Sequence, residues 1–152
     1  GYNPVRNLSG HGLDLYNIHT KPTIPNIDNG DKTKLTKGMA FAIEPFATTG
    51  SGTVVEKGHA TVFMLEHKKP VRSSITRDIL REIESYDGLP FAERWLTKKF
   101  GAKANFALRE LKQLGMIHQF PPLVEVSNGI VTQAEHSMLI DDKGEIVVLT
   151  KM

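Results

Sequence analysis

Two glutamates set in apolar, strand-like runs put the strongest constraint on how this chain folds. Glu44 stands in Phe41-Ala42-Ile43-Glu44-Pro45-Phe46, and Glu135 in Gly129-Ile130-Val131-Thr132-Gln133-Ala134-Glu135-His136. A carboxylate inside an apolar strand is costly unless a cation or a set of hydrogen-bond donors compensates it. A third unusual context is a histidine between two glycines, His11 in Asn7-Leu8-Ser9-Gly10-His11-Gly12. One histidine and two carboxylates carried on strands point to a site for a borderline-to-hard divalent ion such as Mn, Co, Fe or Zn. The fold must therefore bring three distant segments to one place.

The pattern between those segments says how. Residues 1–66 read as strands and loops: a short strand over 5–8 leads into a His11 loop, and 22–38 is irregular surface chain rich in Pro, Asn, Asp, Lys and Gly. A buried strand follows over 39–46, then a turn over 47–52 and strands near 54–55 and 60–65. Residues 73–117 change to a helical period. One helix starts at Ser74 as N-cap and carries Ile75, Ile79, Ile83 and Tyr86 on one stripe. A second begins at Pro90, buries Phe91, Trp95 and Leu96, and stops at Gly101. A third runs over 103–114 with Ala107, Leu108, Leu111 and Leu114 as its stripe. Residues 122–150 return to strands: a hairpin of 123–126 and 130–140 about Ser127-Asn128-Gly129, then 146–149 after a second turn over 141–144. The expected class is α+β. One sheet-based core, 1–72 and 123–152, is interrupted by a helical insertion over 73–122 that returns the chain so that Glu44 and Glu135 meet.

Each candidate has a plainer alternative. Glycines on both sides of His11 allow positive φ and free aim of the ring; the alternative is an exposed loop histidine. His19, in Ile18-His19-Thr20-Lys21-Pro22, alone reads as a surface residue. Glu44 precedes proline, which holds it extended, and Phe46 on its strand face argues for burial over a solvated face. Glu135 shares its face with Val131 and Gln133; its alternative is a buried ion pair, a poor reason by itself to place a carboxylate there. His59, His67 and His118 read as surface residues, and His136 points away from Glu135 across the strand.

Composition narrows the class. The 152 residues make one typical domain. A net charge of +2 is too small to imply a nucleic-acid or membrane-surface partner. The chain has no cysteine, which excludes disulfides, thiolate metal sites and thiol nucleophiles. It has no apolar run near the ~20 residues of a membrane span and no signal segment, so a cytoplasmic protein is expected.

The motifs taken together resemble type 2 methionine aminopeptidases, the archaeal and eukaryotic class with the pita-bread fold. They are Asn7-Leu8-Ser9-Gly10-His11-Gly12, Tyr16-Asn17-Ile18-His19, Ala42-Ile43-Glu44-Pro45-Phe46-Ala47, Gly88-Leu89-Pro90-Phe91-Ala92, Gln119-Phe120-Pro121-Pro122-Leu123 and Gln133-Ala134-Glu135-His136-Ser137. The resemblance covers nearly the whole chain. It implies half of a pita-bread fold with a winged-helix-like helical insertion, and removal of N-terminal Met from nascent polypeptides with two divalent ions (Co, Mn, Fe or Zn). On that resemblance His11, Glu44 and Glu135 are metal ligands, Glu135 bridging the two ions. Glu44 also shuttles a proton, and His19 contacts the substrate. Ile18, Phe46 and Phe120, with Val62 and Pro90, line the methionine pocket.

One departure matters. The family's ligand set includes two aspartates and a second substrate histidine from an N-terminal half, and none of Asp14, Asp28, Asp31, Asp78, Asp87, Asp141 and Asp142 matches those motifs. The chain therefore resembles the C-terminal portion of the enzyme, with the N-terminal half as its missing partner. Alone it is expected to bind at most one ion and to have little or no peptidase activity. Two other readings compete: a non-catalytic binding protein that reuses the fold, and a winged-helix nucleic-acid module over 73–140 with Arg109 and Lys112 on its recognition helix. Retention of His11, His19, Glu44 and Glu135 together disfavours the first. Scattered lysines and near-zero net charge disfavour the second.

Overall fold

The computed structural model describes residues 1–151. In chain order the first elements are β1 (Asn3–Pro4), β2 (Ser9–Asp14), β3 (Asn17–Pro25), β4 (Ala40–Ile43), β5 (Phe46–Thr48), β6 (Val54–Glu56) and β7 (Val62–Leu65). The helical block is α1 (Ser74–Glu84), β8 (Phe91–Ala92), α2 (Glu93–Phe100), α3 (Lys103–Gln113) and β9 (Ile117–Phe120). The chain then returns through β10 (Leu123–Glu125), β11 (Val131–Gln133), β12 (His136–Ile140) and β13 (Ile146–Val148).

Two compact units result. The first is Gly1–Val55 with the segment from Leu123 onward; the second is Glu56–Pro122. The second unit thus begins upstream of residue 73, where the helical period starts. The reason is strand pairing: β7 pairs antiparallel with β8 and β9, so 62–65 completes the sheet of the helical block and not that of the first unit.

In the first unit a five-stranded sheet runs β13-β12-β4-β2-β3, and a three-stranded sheet runs β1-β5-β11. Its interior is set by Val5, Phe41, Ala42, Val54 and Ile140, with the adjacent Phe41 and Ala42 buried on opposite faces of β4. His11 lies inside β2 and not in a loop, paired with Ala42 on β4 and Thr23 on β3. Neither Gly10 nor Gly12 has a positive φ. They are glycines because there is no room for anything larger. A Cβ on Gly10 would stand 2.2 Å from the Ala42 carbonyl oxygen, and one on Gly12 2.2 Å from that of Lys21. Closeness between neighbouring strands, not backbone freedom, explains both positions.

The expected hairpin over 123–140 does not form. β10 pairs with β6, and β11 pairs with β5. The intervening turn wraps a buried carboxylate instead. Glu125 is 2% exposed and accepts from Ser51 N (2.6 Å), Ser51 Oγ (2.7 Å), Ser127 N (2.7 Å), Ser127 Oγ (2.7 Å) and Gly129 N (3.0 Å). These donors, Ser51 foremost, hold its carboxyl well below the usual carboxylate range. The second hairpin, β12–β13 about 141–144, forms as the turn sequence predicts.

In the second unit the three helices pack on the β8-β7-β9 sheet around Phe63, Ile79, Ile83, Phe91, Leu96, Leu108, Leu111 and Met116. Ser73, one residue before the expected cap, caps α1 by accepting from Thr76 N. Phe91-Ala92 is strand and not first turn, so α2 starts at Glu93; Gly101 closes it. Trp95 is 47% exposed and does not join the core, because the shorter α2 buries Leu96 and turns Trp95 outward against the edge of Tyr86. Phe120 is half-buried on β9, its ring 4.6 Å from that of His118.

Candidate metal centre

Two breaks in strand structure carry the glutamates. Glu44-Pro45 separates β4 from β5, and Ala134-Glu135 separates β11 from β12. Sequence periodicity reads both glutamates as mid-strand residues; the structure places both in gaps. The Glu44 gap follows from Pro45, which has no amide hydrogen for the ladder. Its carbonyl still accepts from Ala134 N at 3.2 Å, so the two gaps face one another.

The ladder holds that alignment. β12 pairs with β4, placing His136 opposite Ile43. β11 pairs with β5, placing Gln133 opposite Phe46 and Val131 opposite Thr48. Reciprocal bonds at the far end, Thr49 N to Ile130 O (3.1 Å) and Ile130 N to Thr49 Oγ1 (3.0 Å), join this ladder to the Glu125 clasp.

His11 and Glu44 meet directly: His11 Nε2 stands 2.8 Å from Glu44 Oε1, with side chains 18% and 13% exposed. The other ring nitrogen, Nδ1, lies 3.1 Å from the carbonyl oxygen of Gly12. A carbonyl only accepts, so Nδ1 carries a hydrogen, and Nε2 is the nitrogen that faces the carboxylate. A ring nitrogen and a carboxylate oxygen share a 2.8 Å contact only with something positive between them: a proton, or a cation bound by both. Two ligand atoms each about 2.1 Å from one ion and at right angles stand about 3.0 Å apart, close to the observed separation. A histidine whose second nitrogen is fixed by a backbone carbonyl also has the orientation that metal-binding histidines need.

Glu135 lies nearby, linked through an amide. Gln133 Nε2 donates to Glu44 Oε2 at 2.9 Å and to Glu135 Oε2 at 3.4 Å. Glu135 is exposed rather than buried, since its gap lies at the surface. Burial first, and then the Glu135 carboxylate, push the Glu44 carboxyl up; His11 and Gln133 oppose this. Among the described residues no three His, Asp or Glu side chains gather closely enough to form a complete cage. The donors fit one divalent cation at His11 and Glu44, with Glu135 held beside Glu44 by the shared Gln133 amide. A second cation needs ligands from outside these residues.

His19, on β3, brings its ring to 4.4 Å from that of His11, edge to face. Ile18 and Phe46 are half-buried on β3 and β5. The structure thus gathers His11, His19, Glu44 and Glu135 in the first unit. Gln133 is the residue that sequence reasoning passed over. Its one available signal was the two-residue spacing to Glu135, which puts both on one face of an extended strand.

Comparison with known proteins shows the family of the chain. The profile of metallopeptidase family M24 matches residues 1–82. The methionine aminopeptidase of Archaeoglobus fulgidus is 40% identical over 148 residues, covering 97% of this chain and 50% of that protein. That of Pyrococcus abyssi is 42% identical over 154 residues, covering 99% and 52%. Methionine aminopeptidase 2 of Candida albicans is 34% identical over 149 residues, covering 95% and 33%. The chain spans about half the length of the archaeal relatives it matches. Two solved structures share the fold. A thermophilic Arx1 has TM-score 0.79 and 20% identity, with 97% of this chain and 40% of that one covered. A Thermotoga maritima methionine aminopeptidase has TM-score 0.51 and 22% identity, with 100% and 36% covered. With its paired His11 and Glu44 strands lying inside the matched residues, this chain belongs to metallopeptidase family M24.

Proposed function

We propose that this chain corresponds to the C-terminal portion of a cytoplasmic aminopeptidase that removes N-terminal Met from nascent polypeptides. The observation that carries the reading is the His11–Glu44 contact, with Nε2 turned to Oε1 and Nδ1 tied to a backbone carbonyl. His11 and Glu44 would hold one divalent cation (Co, Mn, Fe or Zn), with Glu135 as the carboxylate shared with a second ion. A bound cation supplies Lewis acidity toward water and toward a peptide carbonyl oxygen.

The chain's own residues account for the remaining tasks. Glu44, set between His11 Nε2 and the Gln133 amide, is assigned the task of accepting and returning a proton. His19, exposed on β3 beside His11, can donate to charge that develops on the substrate oxygen. Ile18 and Phe46 offer apolar surface for a methionine side chain. Aspartate ligands expected on the resemblance have no counterpart among these residues, so the chain alone is assigned binding of one ion and no turnover.

A chimera tests this reading. This chain replaces the matching half of the Archaeoglobus fulgidus enzyme, and methionine release from a Met-Gly peptide is measured. The expected result is release by the chimera with added Mn²⁺ or Co²⁺, at least ~100-fold less by its E44Q variant, and none by this chain alone. Turnover by this chain alone, or an E44Q chimera as fast as its parent, would overturn it.

A further inference from the structure

Gln133 faces two acids with one amide group, and the metal-binding reading above gives it no task. Both partners are carboxylates, which only accept, so the amide nitrogen must point into the site. Its two hydrogens reach Glu44 Oε2 and Glu135 Oε2. The other oxygen of Glu44, Oε1, is thereby left aimed at His11 Nε2.

The choice of an amide has a physical logic. Glu44 and Glu135, both within reach of one amide nitrogen, repel one another when both are ionised. A Lys or Arg between them would relieve the repulsion, but would place a permanent positive charge where a cation should enter. An amide supplies two donors and no net charge, so it steadies both carboxylates and leaves their combined charge for the ion. The position is rigid: Gln133 ends β11, paired with Phe46, and the next residue donates its amide to Pro45 O.

We propose that Gln133 is a positioning residue that holds the Glu44 and Glu135 carboxylates side by side, so that a divalent cation meets them already oriented. The inference rests on the metal-binding reading of His11 and Glu44.

The test is Co²⁺ titration of the full chain and its variants by calorimetry, together with urea unfolding of each without metal. Q133M keeps the side chain's length and removes its donors; Q133A removes both. Both variants are expected to bind Co²⁺ about 10- to 100-fold more weakly than the unsubstituted chain, with the metal-free unfolding midpoint unmoved, since Gln133 is exposed. Q133K is expected to abolish binding. Wild-type affinity in Q133M would overturn the proposal while leaving the metal site intact. So would a fall in affinity matched by a lower metal-free midpoint, which marks a merely structural role. If the unsubstituted chain binds no Co²⁺ above H11A, the underlying reading fails and this one with it.

Discussion

Replacing Gly10 with alanine should damage the fold and the site through one contact. The added Cβ would meet Ala42 O at 2.2 Å, Ala42 C at 3.1 Å and Glu44 N at 3.2 Å. All three are backbone atoms, so no side chain can swing aside. Reaching an ordinary contact of 3.4 Å or more requires β2 and β4 to part by roughly 1 Å. Overpacking of this kind costs about 1–3 kcal/mol, and backbone neighbours place G10A at the upper end, ~3 kcal/mol. The separation acts directly on the site, because His11 pairs with Ala42, two residues before Glu44. Opening the 2.8 Å His11–Glu44 contact by that amount takes the two atoms beyond what one ion with bonds of about 2.1 Å holds comfortably. Co²⁺ affinity should fall at least ~10-fold, more than tenfold being equivalent to over 1.4 kcal/mol. Urea unfolding followed by circular dichroism gives the first quantity and calorimetry the second. G1A is the control, since a Cβ at Gly1 meets nothing within 4 Å. A G10A chain that loses under 0.5 kcal/mol and binds Co²⁺ like its parent would refute the reasoning.

Three further outcomes follow from the same coordinates. A carboxyl whose pKa is raised by folding takes up a proton as the chain folds, so its contribution to stability falls as pH rises through that window. E44Q without metal should therefore unfold at higher urea than the parent at pH 7, with the advantage gone below about pH 4. Glu125 behaves oppositely: its folded pKa is depressed, so its stabilisation is present above the ordinary carboxylate range and lost as pH falls below it. E125Q should be weaker at pH 7 and show a shallower loss between pH 5 and 2 in the same assay. In the second unit, L111A removes a fully buried side chain from the helical core. It should cost about 2–5 kcal/mol, read from the fluorescence of Trp95, the chain's single tryptophan.

The sequence made some of this visible and hid the rest for definite reasons. The α+β order, the stripe of Ala107, Leu108 and Leu111, and the β12–β13 hairpin follow from local period and turn chemistry. The convergence of His11 and Glu44 was legible too, because a carboxylate beside Phe41 and Ile43 demands compensation. Strand partners were not legible. Alternation says which face of 130–133 is apolar, but not that β11 joins β5 instead of continuing a hairpin with 123–126. The Glu125 clasp decides that, and its donors come from Ser51 in a distant turn. The glycines beside His11 read locally as flexibility, yet they are required for closeness, a property of the neighbouring strand that no local pattern encodes. Gln133 was hidden in the same way: its role depends on Glu44, which reaches it only through the paired gaps.

The central claim is that His11 and Glu44 form one half of a metal centre. Calorimetric titration of the 152-residue chain with Co²⁺, beside H11A and E44Q, tests it most directly. One ion bound per chain, with binding lost in both variants, is the predicted result. Binding that is absent, or that survives unchanged in H11A, would contradict it.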